Sequence, residues 1–234
     1  PLHYHRSAGL FAFASMPKGL HALSELPREP DLDRVAEFVA LLPDSGSRTC
    51  FAGVERVESG NVVIVTPEKV TSRRHWDPRP GAAGAHDRQD WADGLRHHLD
   101  LAVASRLRGV GQAVATHLSA GLDSSIVTAT AAQAMRERGG RVVAFTAVPR
   151  KRSEPYPVAF ICDEGPHAAL TAAMHANIEH VRIEGGDSSP LDLLDRCFFL
   201  YEQPVRDLPS GAWFMAINDR AQAMGIRVLL PAYA

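Results

Sequence analysis

The chain reads as an α/β protein whose larger part is a doubly wound parallel sheet, preceded by a smaller part of α+β character. Three observations carry this reading. From residue 89 onward, helix-period segments alternate with short apolar runs, the pattern of parallel strands with crossover helices. Residues 77–88 are rich in proline, glycine and alanine without periodicity, which marks a linker. Before the linker, short runs of strand character are separated by turn residues. The expected organisation is a first domain over 1–76, a linker over 77–88, and a second domain over 89–234.

In the first part, Gly9-Leu10-Phe11-Ala12-Phe13-Ala14 predicts a strand. A helix follows Pro30, with Asp31 or Asp33 near its start and Val35, Phe38 and Val39 on its inner face. Asn61-Val62-Val63-Ile64-Val65, then Thr66-Pro67-Glu68-Lys69, then Val70-Thr71-Ser72 reads as strand, turn and returning strand. In the second part, Trp91, Leu95, Leu99, Val103 and Leu107 recur every four residues and predict a long helix. The apolar run 113–118 is a strand, and the helix after it carries Ile126, Val127, Ala131, Ala134 and Met135 on one face. Gly139-Gly140 ends that helix, and 141–147 is the next buried strand. Pro166 opens a helix through Met174, 178–183 is a strand, and Ser189-Pro190 starts a helix through Cys197 and Leu200. Ser210 caps a last helix with Trp213, Ile217, Ala221 and Met224 inward, before Gly225 and a strand over 227–230.

Composition narrows the function classes. A chain of 234 residues with 45% hydrophobic residues buries a sizeable core. The formal charge of −2, with acidic and basic residues interspersed, gives no footing for nucleic acid. There is neither a long apolar run for a membrane span nor a signal-peptide pattern, so a cytoplasmic location is expected. Cys50, Cys162 and Cys197 are too scattered for disulfides or zinc and are expected as small buried hydrophobes. Eleven histidines form no His-Glu-x-x-His or comparable pattern, so no transition-metal site is expected.

Function is best read from residues 119–125, Ser-Ala-Gly-Leu-Asp-Ser-Ser. A strand, a turn of small residues and a helix start direct several backbone N–H groups and the positive end of a helix at one spot, which suits phosphate or pyrophosphate. Asp123 supplies a carboxylate of the kind that holds a magnesium ion together with phosphate oxygens. The competing reading is a close-packed turn with Asp123 or Ser124 as the helix cap. The density of small and hydroxyl residues around one acid favours phosphate. No Gly-x-x-x-x-Gly-Lys-Ser/Thr occurs, which argues against a Walker-type nucleotidase.

The segment closely resembles the pyrophosphate loop, Ser-Gly-Gly-Leu-Asp-Ser-Ser, of the asparagine synthetase family and related N-type ATP pyrophosphatases. Ala120 stands where that family usually has glycine. If the position required a positive φ, alanine there would cost about 1 kcal/mol or more. Further likenesses run along the chain. Pro1-Leu2-His3-Tyr4, the segment 13–20 (Phe-Ala-Ser-Met-Pro-Lys-Gly-Leu) and Arg74-His75-Trp76-Asp77-Pro78 resemble parts of the family's amidotransferase domain. Asp163-Glu164 and the segment 201–207 (Tyr-Glu-Gln-Pro-Val-Arg-Asp) resemble the Asp-Glu and Glu-x-Pro segments of its synthetase domain.

The resemblance implies the C-terminal part of an Ntn-type amidotransferase-like domain, followed by an adenine nucleotide hydrolase-like sheet. It implies ATP and Mg2+ as cofactors and AMP-forming activation of a carboxylate for attack by an amine. Leu118, Ser119, Ala120, Gly121, Leu122, Asp123, Ser124 and Ser125 would form the phosphate site, and Val143, Phe145 and Thr146 the adenine side. Asp123 would hold the metal and take part in catalysis, and Glu202 would sit by the acyl-adenylate; Asp207 is a weaker candidate. The chain opens at proline, where glutamine-dependent members open at cysteine, so it is expected to be a fragment without an assignable glutaminase. After Leu230 it continues Pro231-Ala232-Tyr233-Ala234, where the family has Gly-Asp-Gly-Gly-Asp-Glu. With that change, and with Trp213 on a helix after the Glu-x-Pro turn, the chain is most similar to the lasso peptide macrolactam cyclases. The implied partner is a carboxylate-bearing peptide or amino-acid substrate and, for a cyclase, a precursor peptide with its processing protease. A glutamine- or ammonia-dependent asparagine synthetase and a non-catalytic scaffold of the same fold are the alternatives.

Overall fold

The computed structural model describes residues 2–43, 46–78, 87–149, 163–184 and 189–231. The middle of the expected linker, Cys162 and the segment 232–234 lie outside the described residues. The chain divides into two compact units, Pro1–Gly84 with Leu193–Arg206, and Ala85–Asp192 with Asp207–Ala234.

The first unit is built on a hairpin. Strands β1 (His3–Ser7) and β2 (Leu10–Ala14) pair antiparallel with His3 opposite Ala14 and Ser7 opposite Leu10. Strand β3 (Glu55–Arg56) joins the free edge of β1, giving the order β2-β1-β3. Strand β1 went unrecognised in the sequence because its residues are mostly polar. Its polar groups are satisfied locally: Tyr4 donates its hydroxyl to Glu55 at 2.7 Å, and His5 Nδ1 lies 2.7 Å from the Gly53 carbonyl. Leu20, on the short helix α1 (Pro17–Leu20), packs with Leu26 and Val54 as the unit's core.

Helix α2 (Leu32–Val39) is capped by Asp31, which accepts from the Arg34 N–H at 3.0 Å. Its inner face differs from the expected one: Val39 is exposed, and the buried residue is Arg34, ion-paired to Glu37 at 3.1 Å. Strands β4 (Asn61–Val65) and β5 (Val70–Arg74) form a separate antiparallel pair, as their turn chemistry implied. The Gly60 carbonyl accepts from the N–H groups of His75 and Trp76. At φ +75°, with the Trp76 carbonyl lying where a Cβ would stand, that position admits only glycine.

The second unit is a parallel four-stranded sheet in the order β8-β7-β6-β9. It comprises α3 (Arg88–Arg106), β6 (Ala113–His117), α4 (Leu122–Arg136), β7 (Arg141–Val148), α5 (Gly165–Ala173), β8 (Ile178–Glu184), α7 (Leu208–Ala223) and β9 (Leu229–Leu230). Helix α6 (Leu194–Tyr201), which follows a 3-10 turn at Pro190–Leu193, groups with the first unit.

Alternation along the strands decides which helix covers which face. Val114 and Val142 pack with Ala131, Ala132 and Met135 of α4 and with Val103 and Leu107, while Leu118 and Ala144 pack with Ala168 and Ala172 of α5. The intervening residues Ala115, Val143 and Phe145 pack with Ile217 and Ala221 of α7 on the other face. Strands covered on both sides read as continuous apolar runs, and burial of each large side chain contributes about 1.5–3 kcal/mol. The sheet is doubly wound, as the alternating pattern implied.

Helix α3 departs from its expected face. Val103 and Leu107 are buried, but Trp91 and Leu95 are 58% and 70% exposed. A four-residue spacing overshoots a 3.6-residue turn by about 40° per step, so the row drifts around the helix and only one end meets the sheet.

Candidate functional site

Strand β6 has β7 on one side and β9 on the other, so the connection direction reverses at this strand. The carboxyl end of such a strand is where open α/β sheets bind ligands. Residues 118–125 lie there. Leu118 extends the ladder by donating its N–H to the Phe145 carbonyl at 2.8 Å. The turn then runs through Ser119 and Ala120 to Gly121, the N-cap of α4, at φ −75° and ψ 152°. The helix therefore begins at Leu122, ahead of either residue considered as its cap, and Asp123 falls in its first turn. Gly121 gives no side-chain cap to the first-turn N–H groups, which leaves the positive end of α4 available to an anion.

Within the turn the hydroxyls bind one another and the backbone. The Ser119 N–H donates to Ser124 Oγ at 3.0 Å, the Gly121 N–H donates to Ser119 Oγ at 3.0 Å, and the two hydroxyl oxygens are 2.7 Å apart. Ser124 in turn donates to the Gly121 carbonyl at 3.1 Å, and Ser125 donates to the same carbonyl at 2.8 Å. Ser125 Oγ also lies 3.3 Å from Thr171 Oγ1 of α5. The side chains of Ser119 and Ser124 thus hold the turn's shape by taking up the Ser119 and Gly121 amides, while the amides that open α4 receive no side-chain cap. Ala120 is not among the residues of positive φ, so alanine carries no backbone cost. Space at Gly121 is tight: a Cβ there would stand 3.2 Å from Ser119 Oγ, which would have to give by a few tenths of an ångström.

Asp123 is exposed beside these amides. One carboxylate next to a phosphate site fits magnesium, which uses few protein ligands and completes its shell with phosphate oxygens and water. Among the described residues there is no cluster of three His, Cys, Asp or Glu that would hold a metal without such help.

The remaining expected residues fall in different places. Val143, Phe145 and Thr146 are buried in β7, the first two against α7. Thr146 donates its hydroxyl to the Leu118 carbonyl at 2.7 Å and lies 2.8 Å from His180 Nε2. Glu202 lies in the first unit and the 118–125 turn in the second. Glu202 terminates α6 in the left-handed conformation, at φ 53° and ψ 28°. Its Oε1 accepts from the Lys18 N–H, and its buried Oε2 has no hydrogen-bond partner among the described residues. Lys18 Nζ also donates to the Phe199 carbonyl at 2.9 Å.

Asp207 is the N-cap of α7, accepting from the Ser210 N–H at 3.1 Å. Its hydrogen bonds to Ser210 hold the carboxyl below the usual aspartate range. Trp213 of the same helix is half-buried. Asp163 accepts from the Gly165 N–H at 2.8 Å at the start of α5. The sequence reading missed Thr171, His180 and His117, the last stacked on Phe214 with ring centroids 5.4 Å apart and planes 5° from parallel. His117 and His180 are placed by their strands and Thr171 by the packing of α5 beside Ser125, and none lies in a motif.

Comparison with known proteins agrees with this geometry. The family model described as asparagine synthase matches residues 94–232. A protein of Penicillium rubens described as Amidase chyE is 28% identical over 191 residues, covering 79% of this chain. The chain spans 28% of that relative's length. No helix among the described residues is long and apolar enough to cross a membrane.

Proposed function

The chain belongs to the asparagine synthase family of ATP-dependent amide-forming ligases, and from that premise we propose that it adenylates a carboxylate and passes the acyl group to an amine. The observation that carries this reading is the 118–125 turn, whose hydroxyls are spent on its own shape while its helix-start amides lack a side-chain cap.

The chemistry balances in two steps. A substrate carboxylate oxygen attacks the α-phosphorus of ATP, breaking the bond to the bridging oxygen and leaving an acyl-adenylate and pyrophosphate. The amine then attacks the acyl carbon, a C–N bond forms, AMP departs, and the ammonium proton goes to a base. The amides of Leu122, Asp123 and Ser124 at the start of α4 would hold the departing pyrophosphate, where donors fixed in place favour the charge that develops. Asp123 would hold magnesium, which supplies further neutralisation of that charge. We assign Glu202 to accept the amine's proton, with Oε2 as the accepting oxygen.

As substrate we propose a ribosomal precursor peptide of the lasso class, with a side-chain carboxylate joined to its own N-terminal amine, and a processing protease as the partner that frees that amine. Pro231 in place of the family's acidic loop, and the Trp213 helix, support this over asparagine synthesis. We further propose that the protein works in the cytoplasm.

The test is to incubate the full-length protein with ATP and magnesium, supplying either a candidate precursor peptide or aspartate with glutamine or ammonia. Peptide-dependent AMP and a product lighter by one water support the cyclase. Asparagine with AMP overturns the cyclase and keeps the ligase, and absence of AMP with every substrate favours the scaffold.

A further inference from the structure

We propose that His180 is a positioning residue for the phosphate turn, acting through Thr146 on the peptide unit that joins Leu118 to Ser119. The inference rests on the reading of 118–125 as the nucleotide site.

Proton bookkeeping sets the direction of the relay. The Thr146 hydroxyl has one hydrogen, and the Leu118 carbonyl, 2.7 Å away, can only accept, so the hydrogen goes there. His180 Nε2, 2.8 Å from the same Oγ1, must then be the donor. A neutral His180 is consequently the Nε2–H tautomer, chosen by its partner. Thr146 is fully buried, so water does not substitute for either bond.

The peptide unit at the end of this relay is held at both of its polar ends. Its carbonyl, from Leu118, accepts from Thr146, and its N–H, from Ser119, donates to Ser124 Oγ at 3.0 Å. A peptide is planar, so two bonds on opposite edges fix its rotation. That rotation sets the direction in which the chain leaves β6 and hence where the following amides lie. The relay crosses three neighbouring strands: His180 on β8 is in register with Ala144, Thr146 is two residues further along β7, and Leu118 continues β6. A histidine on the sheet's outermost strand thereby orients a turn on an inner strand. Because the bonds form no part of the ligand's own contacts, His180 acts on affinity by preorganisation.

The test uses the full-length protein, titrated with Mg·ATP and separately with magnesium pyrophosphate. His180→Leu is expected to raise Kd for both by roughly five- to thirty-fold, the loss of a buried donor. KM for the amine substrate should stay unchanged. His180→Gln, whose terminal amide can donate from a similar position, is expected to recover most of the affinity. Nitrogen-15 spectra of the ring should show hydrogen on Nε2 and none on Nδ1. If His180→Leu does not fold, Thr146→Val removes the same relay with little change of shape and should give the same loss. An Nδ1–H ring, or wild-type affinity in both variants, overturns the proposal. If the wild-type protein binds neither ligand, the nucleotide reading fails by itself. The relay is then judged by the Ser119 amide resonance, which must shift in His180→Leu, and an unmoved resonance overturns it.

Discussion

The hydroxyl oxygens of Ser119 and Ser124 stand 2.7 Å apart, five residues separated in sequence and on opposite sides of the turn that enters α4. Ser124 is 4% exposed, so its hydroxyl serves the turn rather than solvent. Ser124→Ala removes the acceptor for the Ser119 N–H and the donor to the Gly121 carbonyl together. A loss of about 1–3 kcal/mol of stability is expected, read as a lowered unfolding midpoint. Mg·ATP affinity should fall in parallel. Half-buried Ser125→Ala gives the contrast: the Gly121 carbonyl keeps its bond from Ser124, so a smaller loss than that of Ser124→Ala is expected.

Neighbouring small residues in the turn make opposite predictions. Ala120 has no positive φ, so restoring the family's glycine brings no relief of strain. Ala120→Gly should destabilise the protein by about 0.4–1 kcal/mol through the entropy of the unfolded chain and should not raise activity. Gly121→Ala is tolerated by its backbone, at φ −75°, yet its Cβ must displace Ser119 Oγ at 3.2 Å. The expected result is near-normal thermal stability with weakened pyrophosphate binding, measured by calorimetric titration. Equal binding by Gly121→Ala and the wild-type protein would show that Ser119 does not shape the site.

How far the sequence revealed this molecule depends on what each segment packs against. Strands β6 and β7 were legible because a strand covered on both faces must be apolar along its length, and β8, at the sheet edge, from Ile178, Val181 and Ile183 set among exposed polar residues. The turn was legible because its function needs particular small residues next to one another. Strand β1 was not, because Tyr4 and His5 satisfy their polar groups with Glu55 of β3 and Gly53 just before it, far away in sequence. The face of α3 was misplaced because the row from Trp91 to Leu107 drifts around the helix. His180 was invisible for a different reason: it matters only through register with β7, and a single strand's pattern contains no information about register.

The exposed carboxylate of Asp123 separates a metal role from a purely helical one. As an acid in the first turn of α4, it adds about 0.3–1 kcal/mol by interaction with the helix dipole. Asp123→Asn should therefore fold with nearly unchanged stability. If Asp123 holds magnesium, the metal concentration for half-maximal pyrophosphate release should rise on the order of tenfold or more, as expected for loss of a carboxylate ligand. Asp123→Glu should recover only part of it. An unchanged magnesium dependence in Asp123→Asn would place the ion on other ligands.

Burial pushes His117 below its ordinary value of 6.5, and burial, with Arg182 nearby, does the same to His180. Both folded-state values lie below the unfolded one, so the unfolded chain binds more protons as pH falls through 6.5. Their contribution to stability is complete above that pH and is lost progressively below it. The slope should be visible as a falling urea midpoint between about pH 7.5 and pH 5, each unit of difference being about 1.4 kcal/mol. His117 is the cleaner probe because its ring is parallel to Phe214 and burial is what lowers its value. His117→Phe preserves a flat ring against Phe214 and removes the titrating group, so the midpoint should fall less steeply with acid than in the wild-type protein. Superimposable pH profiles for the two would assign the acid sensitivity to groups other than His117.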